Sequence, residues 1–238
     1  MPLFSIPELR EEARKNRNEI TIAISRSNLG AGDATFHLNS WAEELITYAK
    51  NLGYNVIDIN GPDMVYERFT EILENTHPAV LFNFSHGCRN YLMGNLVNGV
   101  IGCTLTRGSE DTQHSCGFCG MPNNLKTLSG TAIITYSCHA AYQLGRCSIK
   151  YGIPSFVGFS DSLVIVSDRY GTQNIFKEGL MPLARNILIG MPIGVAVEIT
   201  KLELLEMVKK YKPIELLSVP LWYDRKYLTQ LGDPNWSL

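Results

Sequence analysis

Five short apolar runs punctuate the chain, at residues 20–25, 54–59, 79–85, 131–136 and 154–159. Each is rich in β-branched or aromatic side chains and is bounded by Gly, Asn, Pro or Ser, as strands buried on both faces are. Stretches of helical period alternate with them. One covers 40–52 and is closed by Gly53; a second runs from Asp63, a candidate cap after the turn 60–63, to about residue 75; a third covers about 140–151. Two more helices are predicted at 173–189 and 193–211, parted by Gly190-Met191-Pro192. Residues 26–39 are mostly polar, and 87–129 are rich in Gly, Asn, Ser and Thr. Within that long section, 96–106 alternates as a β-hairpin does and 107–127 reads as exposed loop. Residues 214–232 follow no single period.

Strands alternating with helices imply an α/β fold, a mostly parallel sheet covered by helices on both faces. No repeat or linker divides the chain, so 1–238 is expected to be a single domain with a long inserted loop at about 88–129. With 238 residues, 45% of them apolar, a sizeable core is available. A net charge of −2 gives no electrostatic footprint for nucleic acid or a membrane surface. The first residues lack the apolar core of a signal peptide, and no run is long enough to span a bilayer. The expected location is therefore cytoplasmic. The six cysteines are then expected to be reduced rather than a disulfide framework.

In open parallel sheets the chemistry sits beyond the carboxyl ends of the strands. The third run ends in Ser85-His86-Gly87, the fourth in Ser137-Cys138-His139 and the fifth in Ser160-Asp161. Singly, such a His is commonly structural and such a Cys a small buried hydrophobe. Jointly, on neighbouring strand ends, they can form a thiol–imidazole pair whose thiolate is a nucleophile. Cys138 also lies where a strand gives way to a predicted helix, where backbone N–H groups lower a thiol pKa and bind a developing oxyanion. Gly87 allows close backbone approach, which makes its N–H a second donor beside that of Cys138.

These residues resemble the caspase-like cysteine peptidases of clan CD, in which an apolar strand followed by His-Gly precedes a second apolar strand followed by a small residue and the nucleophilic Cys. Here these are residues 79–87 (AVLFNFSHG) and 131–138 (TAIITYSC), with His and Cys about fifty residues apart. Cys138-His139 is similar to the Cys-His dipeptide of metacaspases, although Tyr136 stands where those carry an acid. Residues 151–161 (YGIPSFVGFSD), 188–198 (LIGMPIGVAVE) and Leu231-Gly232-Asp233-Pro234 are closer to the gingipain, clostripain, separase and CHAT branches.

The resemblance implies a three-layer caspase-like sandwich and a cysteine endopeptidase with no cofactor required for catalysis. His86 would be general base and acid, Cys138 the nucleophile forming a thioester, and Gly87 and Cys138 the oxyanion donors. No third catalytic residue is identified, and His139 is expected to point elsewhere. In the clostripain and separase branches an acid beyond the fifth strand lines the pocket for Arg or Lys. Asp161 takes that position here, with Asp168 and Asp33 as lesser candidates, so cleavage after a basic residue is expected. The partner is then a protein or peptide substrate, with a homodimer or a regulatory partner left open. The alternative is a catalytically silent caspase-like regulatory or binding domain. A separate signal is His114-Ser115-Cys116-Gly117-Phe118-Cys119. A Cys-x-x-Cys in a Gly-rich turn is a common half of a structural zinc site; His114, Cys103 and Cys88 are near enough in sequence to complete it. A zinc-dependent hydrolase is disfavoured by the lack of a His-x-x-x-His helix or an acidic cluster.

Overall fold

A computed structural model describes residues 17–30, 33–94, 99–102, 124–168 and 170–238. The six-stranded sheet has the order β2-β1-β3-β6-β7-β8. Its strands are β1 (Thr21–Arg26), β2 (Asn55–Ile59), β3 (Val80–Phe84), β6 (Ala132–Tyr136), β7 (Ser155–Phe159) and β8 (Leu228–Gly232). All neighbours are parallel except β7 and β8. The five apolar runs are the five parallel strands. Strands β4 (Tyr91–Met93) and β5 (Gly99–Gly102) form a small antiparallel pair outside the sheet. The helices are α1 (Ala34–Leu52), α2 (Tyr66–Thr76), α3 (Leu144–Lys150), α4 (Gln173–Leu188), α5 (Ile193–Lys210) and α6 (Glu215–Tyr227).

The period of two along each strand divides its side chains between the two faces. Ile22, Ile24, Val80, Phe82, Phe84, Ile134, Tyr136, Val157 and Phe159 pack with α1, α4, α5 and α6. Ala23, Leu81, Ile133 and Phe156 face the other way, against α2 and α3. The result is the expected three-layer arrangement. Tyr136, fully buried, stacks on Phe84 with ring centroids 4.7 Å apart, and its hydroxyl donates to the Leu180 carbonyl at 3.2 Å. This ties β3, β6 and α4 together directly beneath the two strand ends that matter. Among the described residues no helix is long and apolar enough to cross a membrane.

Four local expectations change. Helix α1 begins at Ala34, well before residue 40, because the Asp33 side chain accepts from the Thr35 N–H and caps it. Asp63 does not cap α2: the cap position is Val65, and Asp63 instead bonds Arg68 at 3.2 Å. The antiparallel pair takes in Tyr91–Met93, ahead of the expected hairpin at 96–106, of which 96–98 and 103–106 lie outside the described residues. The mixed segment 214–232 resolves into α6 followed directly by the antiparallel edge strand β8. Leu217, Leu221 and Asp224 of α6 are buried, so its inner stripe carries an acid, which hides the helical period.

Candidate active site

His86 and Cys138 leave the sheet side by side. The β3–β6 register pairs Phe84 with Tyr136, and the Ser137 hydroxyl donates to the Ser85 carbonyl at 2.7 Å one step further on. Gly87 then lies flat against the opposite strand end. A Cβ added there would come within 2.7 Å of the Ser137 Cβ and 2.9 Å of the Cys138 carbonyl oxygen. A Gly87→Ala variant is therefore expected to push the two ends apart. It should lose about 1–3 kcal/mol of stability, read by thermal unfolding, together with labelling of Cys138 by a thiol-directed activity probe. A variant as stable and as reactive as the wild type would show slack at this contact.

Beneath the contact is a buried polar network. The Asn83 side-chain nitrogen sits 2.9 Å from the hydroxyls of Ser85, Thr135 and Ser137, and its oxygen accepts from Ser25 at 2.9 Å. The Ser85 hydroxyl in turn reaches the His86 carbonyl at 2.8 Å. Buried polar groups must be satisfied, so these bonds fix how far β1, β3 and β6 project beyond the core. Asn83 lay unnoticed inside an apolar strand run; an amide among Leu, Phe and Phe was the available signal.

The imidazole of His86 is held from the other side. Its Nε2 lies 3.0 Å from both carboxylate oxygens of Asp33. The same carboxylate accepts from the Thr35 N–H at 2.8 Å and the Thr35 hydroxyl at 2.6 Å. Burial pushes the Asp33 carboxyl upward, but the bonds from Thr35 and His86 outweigh it and hold its pKa below the ordinary value. An ionised Asp33 selects the tautomer with the proton on Nε2 and leaves Nδ1 as the accepting nitrogen. Asp33, one of the lesser candidates for a substrate pocket, is thus in direct contact with His86.

The expectation of a helix start at Cys138 that lowers its thiol pKa is overturned. Residues 138–143 form turns and α3 begins only at Leu144. The early N–H groups go elsewhere: His139 donates to the Asp161 carbonyl at 2.8 Å, Ala141 to the Phe159 carbonyl at 3.0 Å and Leu144 to the Arg89 carbonyl at 2.7 Å. The turn is pinned to β7 and to the loop after His86, with His139 at a positive φ of 57°. Burial pushes the Cys138 thiol up, opposed more weakly by the backbone of Leu163 and of Cys138 itself. The Sγ–O distance to Leu163 is 3.7 Å. A thiol so buried favours its protonated form over the thiolate and needs a base to become a nucleophile.

Asp161 sits at the end of β7. Its carboxylate accepts from the Ser162 N–H at 2.8 Å and lies 3.6 Å from His139 Nδ1, with about a third of its side chain (36%) open to solvent. Asp168 is occupied at the start of α4 by Thr172, whose hydroxyl donates at 2.5 Å and N–H at 3.1 Å, and by the Tyr170 N–H at 2.8 Å. Cys103, His114, Cys116 and Cys119 lie outside the described residues. Among the described residues no cluster of three or more His, Cys, Asp or Glu could hold a metal ion.

No family model and no curated protein matches the sequence. Solved structures do match. The complex of the pro- and mature domains of Porphyromonas gingivalis RgpB superposes with a TM-score of 0.56 at 11% identity, over 96% of this chain and 52% of that one. The Arg-specific cysteine proteinase gingipain R (RGPB) superposes with a TM-score of 0.55 at 11% identity, over 99% of this chain and 54% of that one. The fold is that of the caspase-like cysteine peptidases. The chain spans about half the length of the gingipain chains it matches.

Proposed function

We propose that this chain is a cysteine endopeptidase acting through Cys138 and His86, with Asp33 holding the histidine. The observation that carries the reading is the contact of Gly87 with Ser137 and Cys138, which sets the two strand ends together while Asp33 engages the far side of the imidazole. His86 Nδ1 takes the thiol proton, and the Cys138 sulfur attacks the scissile carbonyl carbon. The N–H groups of Gly87 and Cys138 bind the resulting oxyanion. Gly87 and Leu92 form a bridge whose bonds run from the Met93 N–H to the His86 carbonyl and from the Cys88 N–H to the Tyr91 carbonyl. The Gly87 N–H is therefore not used by that bridge. The intermediate collapses to a thioester as the imidazolium protonates the departing amine. Water, deprotonated by His86, then releases the acid and restores the thiol. None of these steps uses a cofactor, and a zinc on Cys116, Cys119, His114 and Cys103 would serve only to order their loop.

The substrates are peptides or proteins, cut after a basic residue that pairs with the accessible carboxylate of Asp161. Support comes from the place of Asp161 beyond β7 and from the Arg specificity of the gingipain with this fold. Charge-assisted bonds of this kind contribute about 1.5–3 kcal/mol, so Asp161→Ala is expected to cost about tenfold or more in kcat/KM on Arg peptides. Fluorogenic peptides ending in Arg, Lys, Asp and Asn measure it; a preference for Asp, or an Arg preference that survives the change, identifies a different pocket.

A second reading, a catalytically silent regulatory domain, draws on the raised pKa of the buried Cys138 thiol. Covalent labelling by an acyloxymethyl ketone peptide, lost in His86→Ala, favours the enzyme; no labelling of the folded wild type favours the silent domain.

A further inference from the structure

Asp224 lies on the inner stripe of α6, in line with Leu217 and Leu221, and has no exposed surface. An acid so placed needs hydrogen bonds. One oxygen accepts from the Val164 N–H at 2.8 Å, and the other is buried with no hydrogen-bond partner among the described residues. Burial pushes its pKa well above the ordinary carboxyl value, opposed more weakly by the Val164 N–H, which favours the uncharged acid. The Val164 N–H and the Leu163 carbonyl belong to one planar peptide unit. That carbonyl takes the Cys138 thiol at 3.7 Å. A single rigid plate is thus gripped at one edge by Asp224 and holds the nucleophile's hydrogen at the other. Residues 162–168 contain neither helix nor strand, so no ladder fixes the plate. Leu163, Ile165 and Val166 pack on the core, while the Ser162 and Ser167 hydroxyls reach His139 and His37 on either side of the plate.

We propose that Asp224 and the 163–164 peptide form a latch that sets the resting orientation of the Cys138 thiol, aiming its hydrogen at Leu163 rather than at His86. Asp224 is a positioning residue, acting on the sulfur through the peptide. The two bonds on the plate polarise it in the same sense and strengthen each other. Opening the latch turns the carbonyl away and leaves the thiol to His86. The inference takes Cys138 as the nucleophile of the proposed reaction, but its test uses no substrate.

The test is the rate at which iodoacetamide alkylates Cys138 in the full-length protein near neutral pH, followed site by site by peptide mass mapping. The sulfur displaces iodide and its proton passes to solvent. Asp224→Leu removes the acceptor at similar volume, and Val164→Pro removes the donor from the other side without touching the acid. Each is expected to speed Cys138 alkylation about fivefold, the factor matching one hydrogen bond of about 1 kcal/mol. Asp224→Asn keeps an acceptor oxygen for Val164 and is expected to return the wild-type rate, a rescue that a merely space-filling role would not single out. Circular dichroism and thermal unfolding establish that each variant is folded; if Asp224→Leu does not fold, Val164→Pro carries the test. Folded variants that react at the wild-type rate or slower, or an Asn variant as fast as the Leu variant, overturn the latch. A wild type that shows the latch but cleaves no peptide would overturn the peptidase reading alone.

Discussion

Cys138→Ala is expected to yield a folded protein whose peptide hydrolysis falls by about 10⁴-fold or more, with His86→Ala close behind and the double variant little worse. The reasoning is that the two groups act as one unit. Without the sulfur there is no thioester, and without the imidazole a thiol whose pKa is raised by burial has no base to ionise it. The fold should survive both changes, because Cys138 and His86 are only partly buried and the strands beneath them are held by Tyr136, Phe84 and the Asn83 bonds. The measurement is kcat/KM on a fluorogenic Arg peptide, with a thermal melt beside it. A folded Cys138→Ala variant retaining full turnover would sink the assignment.

Asp33→Asn is expected to lower kcat by about 10²-fold while leaving KM within about twofold. The amide can still touch His86 Nε2, but it can donate as well as accept, so the ring loses the carboxylate that selects its tautomer and stabilises the imidazolium. The charge matters over the whole working range. Asp33 has a folded pKa below its ordinary value of 3.8. Its contribution to stability is therefore present above 3.8 and is lost as pH falls through the lower folded value. No loss of Asp33 charge should occur near neutrality, and any acid limb of the wild-type pH profile there belongs to other groups. An equal rise in KM with unchanged kcat in Asp33→Asn would instead place this acid in substrate binding.

His86 and Cys138 were legible in the sequence because a parallel sheet concentrates chemistry at its carboxyl edge, and each follows an uninterrupted apolar run. The same logic exposed Gly87 and Asp161. Asp33 was visible as an acid, but not in its role. It belongs to a mostly polar stretch with no period, and what fixes it is a cap on α1, a local hydrogen-bond geometry that sequence spacing states only as Asp-x-Thr. The turn at 138–143 was unreadable for a related reason. Its sequence suits a helix, yet its first N–H groups are claimed by Asp161, Phe159 and Arg89, which are distant in sequence. Asn83 and Asp224 are the deeper omissions. Each is a polar residue on a buried face, and pattern reading averages such residues into the apolar neighbours that surround them. A carboxyl three residues after Leu221 on a helical stripe is the kind of exception that deserves inspection in any α/β chain.

The sheet order also divides by sequence. Strands β1, β2 and β3 occupy one side and β6, β7 and β8 the other, so the chain crosses the middle of the sheet once. The β3–β6 pairing is the seam between an early half and a late half, and the proposed nucleophile and its proposed base stand on opposite banks of it. Neither half carries a working pair by itself. The early half holds His86 and Asp33, and Cys138 follows only after β6, in the late half. The proposed pair is thus assembled by the β3–β6 junction and by neither half alone.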